Sequence, residues 1–164
     1  MDINERRINI LLRNINIARY GNEGDVSGVA DILLYISGFN ADHGYRTTFE
    51  NPISGSSRPD IRIEVYEDLS QAGEQLLPVL VIELKRRQSV RNTRDEHNNQ
   101  LFRYMRSGNF PHGILMYANE AYFYVNDNDN IEQEKNSQFD NIAASYQEII
   151  DRLVRIRILY QKEL

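Results

Sequence analysis

Cysteine is absent from the 164 residues. That excludes disulfides, thiolate metal sites and nucleophilic thiol chemistry, and it agrees with a reducing compartment. Histidine is scarce, and His43, His97 and His112 are too scattered along the chain to suggest a zinc site. No apolar run approaches the ~20 residues that a bilayer-spanning helix needs. The start, Met1-Asp2-Ile3-Asn4-Glu5, lacks the basic-then-apolar layout of a signal peptide. Together these absences lead to the expectation of a soluble, cytoplasmic protein with no membrane partner. Positive charge is also in deficit: 19 Lys and Arg face 24 Asp and Glu, a net −5, which taken alone disfavours a polyanionic partner. The distribution matters more than the sum. Between positions 85 and 106 the basic residues Lys85, Arg86, Arg87, Arg91, Arg94, Arg103 and Arg106 are opposed only by Asp95 and Glu96, whereas positions 120–140 are strongly acidic. A basic band could contact phosphates while the acidic remainder faces solvent or a partner; a solvated Arg-rich loop and helix face is the competing reading.

The chain is long enough for one domain, residues 1–164, with a real core. Apolar spacing predicts helices over 3–20 and 25–37, the first broken by Tyr20-Gly21-Asn22-Glu23-Gly24 and the second ended by Gly38. Strands are expected over 45–49, 60–67 and 77–85, then a helix over 93–107 and strands over 112–117 and 121–125. Residues 51–57 and 88–92 read as polar connections near the substrate side. Asn126-Asp127-Asn128-Asp129-Asn130 resembles a calcium loop but lacks the Gly and Glu such a loop needs, so it reads as a solvated turn. A final helix over 141–164 carries the stripe Ile142, Tyr146, Ile149, Ile150, Leu153, Ile156 and Leu159, which caps the sheet or meets a second copy in a homodimer. The expected class is α/β: a mixed central sheet flanked by helices, with extra helices at both ends.

The run Pro78-Val79-Leu80-Val81-Ile82 reads as a strand buried on both faces, yet it leads into Glu83-Leu84-Lys85. Alternation puts Glu83 and Lys85 on one face, about 7 Å apart, and Leu84 on the other. Isolated charges buried there would cost several kcal/mol, on the order expected for unpaired ions, so each needs a partner or a metal. Asp60 opens the preceding strand, whose Ile61, Ile63 and Val65 share one face. Antiparallel pairing of the two strands brings Asp60 toward Glu83. Two converging carboxylates suit a hard divalent ion such as Mg²⁺ or Mn²⁺.

Pro59-Asp60 followed by Glu83-Leu84-Lys85 resembles the PD-(D/E)xK nuclease superfamily, and within it the N-terminal nuclease domain of type I restriction motor subunits and their small stand-alone relatives. Gln100-Leu101-Phe102-Arg103-Tyr104 is similar to the QxxxY element of those enzymes and of RecB-type nucleases. The likeness covers roughly residues 23–125. It implies a restriction-endonuclease-like αβββαβ core and metal-dependent hydrolysis of phosphodiester bonds, with DNA favoured over RNA as the substrate. On this resemblance Asp60, Glu83 and the Leu84 carbonyl hold Mg²⁺ or Mn²⁺, with a further carboxylate from the helix at its N-terminal side. Glu23 is the candidate for that ligand and Asp31 the alternative, though an acidic first turn also suits the helix dipole. Lys85 would orient the attacking water, and Gln100 and Tyr104, one turn apart, would place the substrate backbone. Arg86, Arg87, Arg91, Arg94 and Arg103 would make phosphate contacts. Three readings compete: a non-catalytic nucleic-acid-binding module on the same fold, an RNA endonuclease of the cap-snatching kind in which His43 is a ligand, and a structural α/β protein whose Glu83 and Lys85 are a surface ion pair.

Overall fold

A computed structural model describes residues 2–49, 59–67, 75–86 and 93–161. Its element order is α1 (Ile3–Tyr20), α2 (Glu23–Ser37), a short 3-10 turn (Ala41–His43), β1 (Tyr45–Phe49), β2 (Ile61–Tyr66), β3 (Leu76–Leu84), α3 (Arg94–Ser107), β4 (His112–Met116), β5 (Ala121–Asp127), β6 (Asn130–Phe139) and α4 (Ile142–Tyr160). The six strands form one mixed sheet in the order of the sequence. Neighbours pair antiparallel except β3 and β4, which run parallel. A parallel pair needs a crossover, and α3 supplies it. No helix among the described residues is long and apolar enough to cross a membrane.

Helix ends follow local chemistry. The side chain of Asn22 accepts from the Asp25 amide and the Asp25 carboxylate accepts from the Asn22 amide, a reciprocal cap that starts α2 at Glu23. That is one half-turn earlier than the apolar spacing predicts. Gly38, at φ 82°, ends it in the left-handed conformation that glycine adopts without strain. Asn141 caps α4 through the Ala144 amide, and the helix closes at Tyr160. The last three positions of the expected helix lie outside the described residues, as do the expected polar connections at 51–57 and 88–92.

The sheet separates two apolar layers. On one face α1, α2 and α4 pack over Ile61, Ile63, Val65, Leu80, Ile82, Leu84, Ile114 and Phe123. On the other face α3 covers Val81, Leu115, Tyr117, Tyr122 and Tyr124 through Leu101, Tyr104 and Met105. Pro78 is tolerated inside β3 because the β2–β3 register shifts between Ile63 and Glu64, where Glu64 faces Pro78, so the missing N–H falls at an irregularity. Leu159 of the expected apolar stripe is exposed on α4, as is its neighbour Ile158.

Strand β6 corrects the sequence reading, which passes from a turn at 126–130 directly to the last helix. Only Asn128 and Asp129 make the turn, both at positive φ (50° and 68°), and the flanking residues belong to strands. Such a pair matches the right-handed twist of a tight hairpin. β6 escapes a pattern search because it is an edge strand with a mostly exposed surface, and because its alternation breaks at Asn136, which sits at φ 56°. Ser137 and Phe139 restore its grip on the sheet, Ser137 donating to the Phe123 carbonyl at 3.1 Å. From α4, Arg152 donates to the Glu134 carboxylate at 2.8 Å and to the carbonyls of Lys135 and Asn136.

Leu80 is fully buried at the centre of β3. Leu80→Ala is expected to lower the unfolding free energy by about 2–5 kcal/mol. In a urea titration this appears as an earlier midpoint with an unchanged slope.

Candidate functional site

The register carries the site geometry. Ile61 pairs with Ile82 across β2–β3, so Asp60, one residue before Ile61, comes abreast of Glu83, one residue after Ile82. The Leu84 amide donates to Asp60 Oδ2 at 2.8 Å, which pins that carboxylate to the end of β3. Glu83 is 2% exposed and follows Val81 on the sheet face that α3 covers. The two carboxyl groups lie close enough for each to act on the other's ionisation. Lys85 Nζ lies 3.6 Å from Glu83 Oε1. The chain thus brings Asp60, Glu83 and Lys85 together, as the alternation of β3 requires.

The electrostatics of this trio are dominated by burial. Removing Glu83 from water pushes its pKa up to about 9, and the facing Asp60 carboxylate pushes the same way. The Lys85 ammonium pulls downward without overcoming them. At neutral pH Glu83 therefore carries a proton, and its Oε2 is occluded with no hydrogen-bond partner. A buried oxygen left unsatisfied beside a fixed carboxylate is a position that a cation can replace a proton in.

The donor set consists of hard oxygens. Asp60 and Glu83 supply carboxylates. Within a strand a residue's N–H and C=O project to the same edge, which puts the Leu84 carbonyl on the Asp60 side. This set fits an ion such as Mg²⁺ or Mn²⁺ that retains several waters; it does not fit a closed nitrogen- and sulfur-rich zinc site. Among the described residues no three His, Cys, Asp or Glu side chains gather into a metal-holding group. Glu23, expected as a further ligand, is exposed at the first position of α2, the helix that packs on the other face of the sheet. In this structure no third carboxylate among the described residues joins Asp60 and Glu83. The reciprocal Asn22–Asp25 cap accounts for this start of α2 without a ligand role for Glu23. Asp31 is exposed as well. His43 Nδ1 lies 3.1 Å from Asn40 Oδ1 within the 3-10 turn and joins no such group either.

Helix α3 forms the wall above the trio. Gln100 and Tyr104 share one face, and Gln100 Nε2 donates to the Tyr104 hydroxyl at 3.2 Å, while Tyr104 is buried against the sheet. Of the basic residues, Arg86 and Arg103 are exposed. The Arg94 guanidinium lies over the Tyr122 ring, 4.5 Å from its centre, so part of its charge is engaged within the protein. Arg87 and Arg91 lie outside the described residues.

One residue at the site escapes sequence reasoning. His97, treated above as one of three scattered histidines, is 7% exposed on α3, and its Nδ1 lies 2.6 Å from the Tyr117 hydroxyl. Burial lowers its pKa first and the charge of Lys85 lowers it further, which places the imidazole within the field of the trio. The only signal in the sequence is its spacing, three residues before Gln100, which puts both on one helical face.

No family model matches the chain, and comparison with curated proteins and with solved structures finds no match either.

The raised pKa of Glu83 sets a pH dependence of stability. Unfolded, its carboxyl releases its proton near 4.5; folded, it holds that proton up to about 9. Its contribution is complete below the lower value and is lost as pH rises toward the upper one, with a slope of up to about 1.4 kcal/mol per pH unit. Metal-free protein is expected to melt at progressively lower temperature from pH 5 to pH 9, and Glu83→Gln to flatten that trend. Mn²⁺ should raise the melting temperature more at the alkaline end, where the ion displaces less proton. Scanning fluorimetry across this pH range checks all three.

Proposed function

We propose that this protein is a metal-dependent nuclease of the PD-(D/E)xK kind, hydrolysing phosphodiester bonds in DNA in preference to RNA. The observation that carries the reading is the meeting of Asp60 and Glu83 beside Lys85 at the end of β3. The order α2, β1, β2, β3, α3, β4, with β3 and β4 parallel, is compatible with a restriction-endonuclease-like core.

Asp60, Glu83 and the Leu84 carbonyl would hold Mg²⁺ or Mn²⁺. When bound, that ion supplies Lewis acidity toward the scissile phosphate and lowers the pKa of an attacking water. The residues of the chain do the rest. Leu84 N–H keeps Asp60 fixed, so no reorganisation is needed when substrate arrives. Lys85 orients the water and offsets negative charge as it grows on the phosphate oxygens. Gln100, already hydrogen-bonded to Tyr104, presents a polar edge to the substrate backbone, and exposed Arg86 and Arg103 add sequence-independent attraction to phosphates. Nothing in this arrangement reads base edges, so strong sequence preference would come from a partner.

The test is a cleavage assay on plasmid, linear and single-stranded DNA and on RNA, with and without Mg²⁺ or Mn²⁺. Wild-type protein is expected to cut DNA only with the ion. Lys85→Ala and Glu83→Gln are expected to lose on the order of 10²–10³-fold in rate while keeping the fold by circular dichroism. Undiminished cleavage by Asp60→Ala would refute the mechanism; binding of DNA without cleavage under any metal would leave a non-catalytic nucleic-acid-binding module instead.

A further inference from the structure

Lys85 and Tyr117 are lateral neighbours. Leu84 pairs with Met116 across the parallel β3–β4 ladder, and the Lys85 amide donates to the Met116 carbonyl at 2.9 Å, so the residues that follow, Lys85 and Tyr117, leave the sheet side by side. Tyr117 belongs to the apolar layer on the α3 face. His97 stands above it, with Nδ1 2.6 Å from the Tyr117 hydroxyl and the two rings 5.6 Å apart. His97, Gln100 and Tyr104 occupy positions i, i+3 and i+7 of α3, one continuous face over the sheet.

The contact with Tyr117 occupies Nδ1 of His97 and leaves Nε2 for another partner. Burial and the neighbouring Tyr122 and Glu120 make loss of the Tyr117 proton harder, so its O–H is kept as a donor. Among the described residues no other acceptor meets that hydroxyl. Aimed at Nδ1 that hydrogen is satisfied, whereas with Nδ1–H as the donor it would have no acceptor among the described residues. A neutral imidazole accepting at Nδ1 must carry its own hydrogen on Nε2 and is a donor there. Nε2 has no partner among the described residues, and it is not among the occluded, unsatisfied polar atoms. An oriented neutral donor at the rim of the site, beside a lysine, is suited to an anionic oxygen.

We propose that His97 is a phosphate-binding residue of this site, its Nε2–H donating to a non-bridging oxygen of the phosphodiester beside Lys85, with Tyr117 as the residue that positions its ring. The inference rests on the nuclease reading and adds to it a donor that is uncharged. A neutral imidazole leaves the field of the nearby carboxylates undisturbed and does not compete with Lys85 for them. Tyr117 acts through His97 alone.

The test combines a spectroscopic readout on unaltered protein with a kinetic one. With histidine nitrogens labelled, NMR of the wild type is expected to find His97 in the Nε2–H form. Adding a short single-stranded DNA oligonucleotide in Ca²⁺ is expected to shift its Nε2 signal while those of His43 and His112 stay in place. In Mg²⁺, His97→Phe is expected to lose on the order of 10²-fold in kcat, with a smaller change in KM. His97→Gln, whose amide nitrogen can reach nearly the same point, is expected to recover most of that loss, and Tyr117→Phe to fall between wild type and His97→Phe. An Nδ1–H tautomer, an unmoved Nε2 signal at saturating oligonucleotide, or wild-type kcat in His97→Phe overturns the assignment. If His97→Phe does not fold, the wild-type spectra decide the matter. Wild-type protein that neither binds nor cleaves DNA overturns the nuclease reading itself, an outcome distinct from active protein indifferent to His97.

Discussion

The β2–β3 pairing is the constraint on which the site depends. Asp60 and Glu83 are separated by the whole of a hairpin, and neither has a reason to approach the other, since two carboxylates repel unless they share a proton or an ion. The ladder imposes the approach: once Ile61 faces Ile82, the residues just beyond have nowhere else to go. Hydrophobic burial supplies the driving force, because Ile61, Ile63, Leu80 and Ile82 all lie in the layer under α1, α2 and α4. Apolar packing on one face therefore holds an electrostatically unfavourable meeting on the other. The Leu84 amide then fixes Asp60 in one orientation, so what remains adjustable is the protonation of Glu83.

The two faces of the sheet divide their labour. The layer beneath α1, α2 and α4 is mostly aliphatic, and its polar contacts, Tyr45 donating to the Arg157 carbonyl and Arg157 to the Ser37 carbonyl, tie α4 to β1 and to the end of α2. The layer beneath α3 is aromatic and carries polar tips: Tyr117, Tyr122 and Tyr124, together with His97 and Asn98. Aromatic bodies with polar ends can fill a core and still deliver hydrogen-bonding groups at its border. Lys85 and Arg94 reach that border from two directions, one from the end of β3 and one from the first turn of α3.

Much of this was legible in the sequence, and the parts that were not have identifiable physical reasons. The apolar run at 79–82 declared a central strand, and Gly38 marked the end of α2, whereas apolar spacing put its start at Asp25 and missed the Asn22–Asp25 cap that begins it at Glu23. That Asp60 meets Glu83 was also readable, since consecutive strands joined by a loop of ordinary length tend to pair antiparallel. β6 was not, because an edge strand needs no continuous apolar face and Asn136 breaks its alternation. The position of Glu23 could not be decided from spacing, since an acidic residue in a first helical turn has a sufficient local reason to be there. His97 was invisible for a different cause: its partner Tyr117 lies on another element, and only the parallel ladder of β3 and β4 sets the two beside Lys85.

Pro78 and the shift opposite it have a consequence for how this chain tolerates change in length. The irregularity between Ile63 and Glu64 absorbs the proline and leaves Val79 without a paired residue, and from Leu80 to Glu83 the strand runs in strict alternation. Gain or loss of a single residue there would invert parity and carry the acidic side chain into the aliphatic layer under α2. Change in chain length is accordingly excluded from the few residues ahead of Glu83, which behave as a fixed ruler.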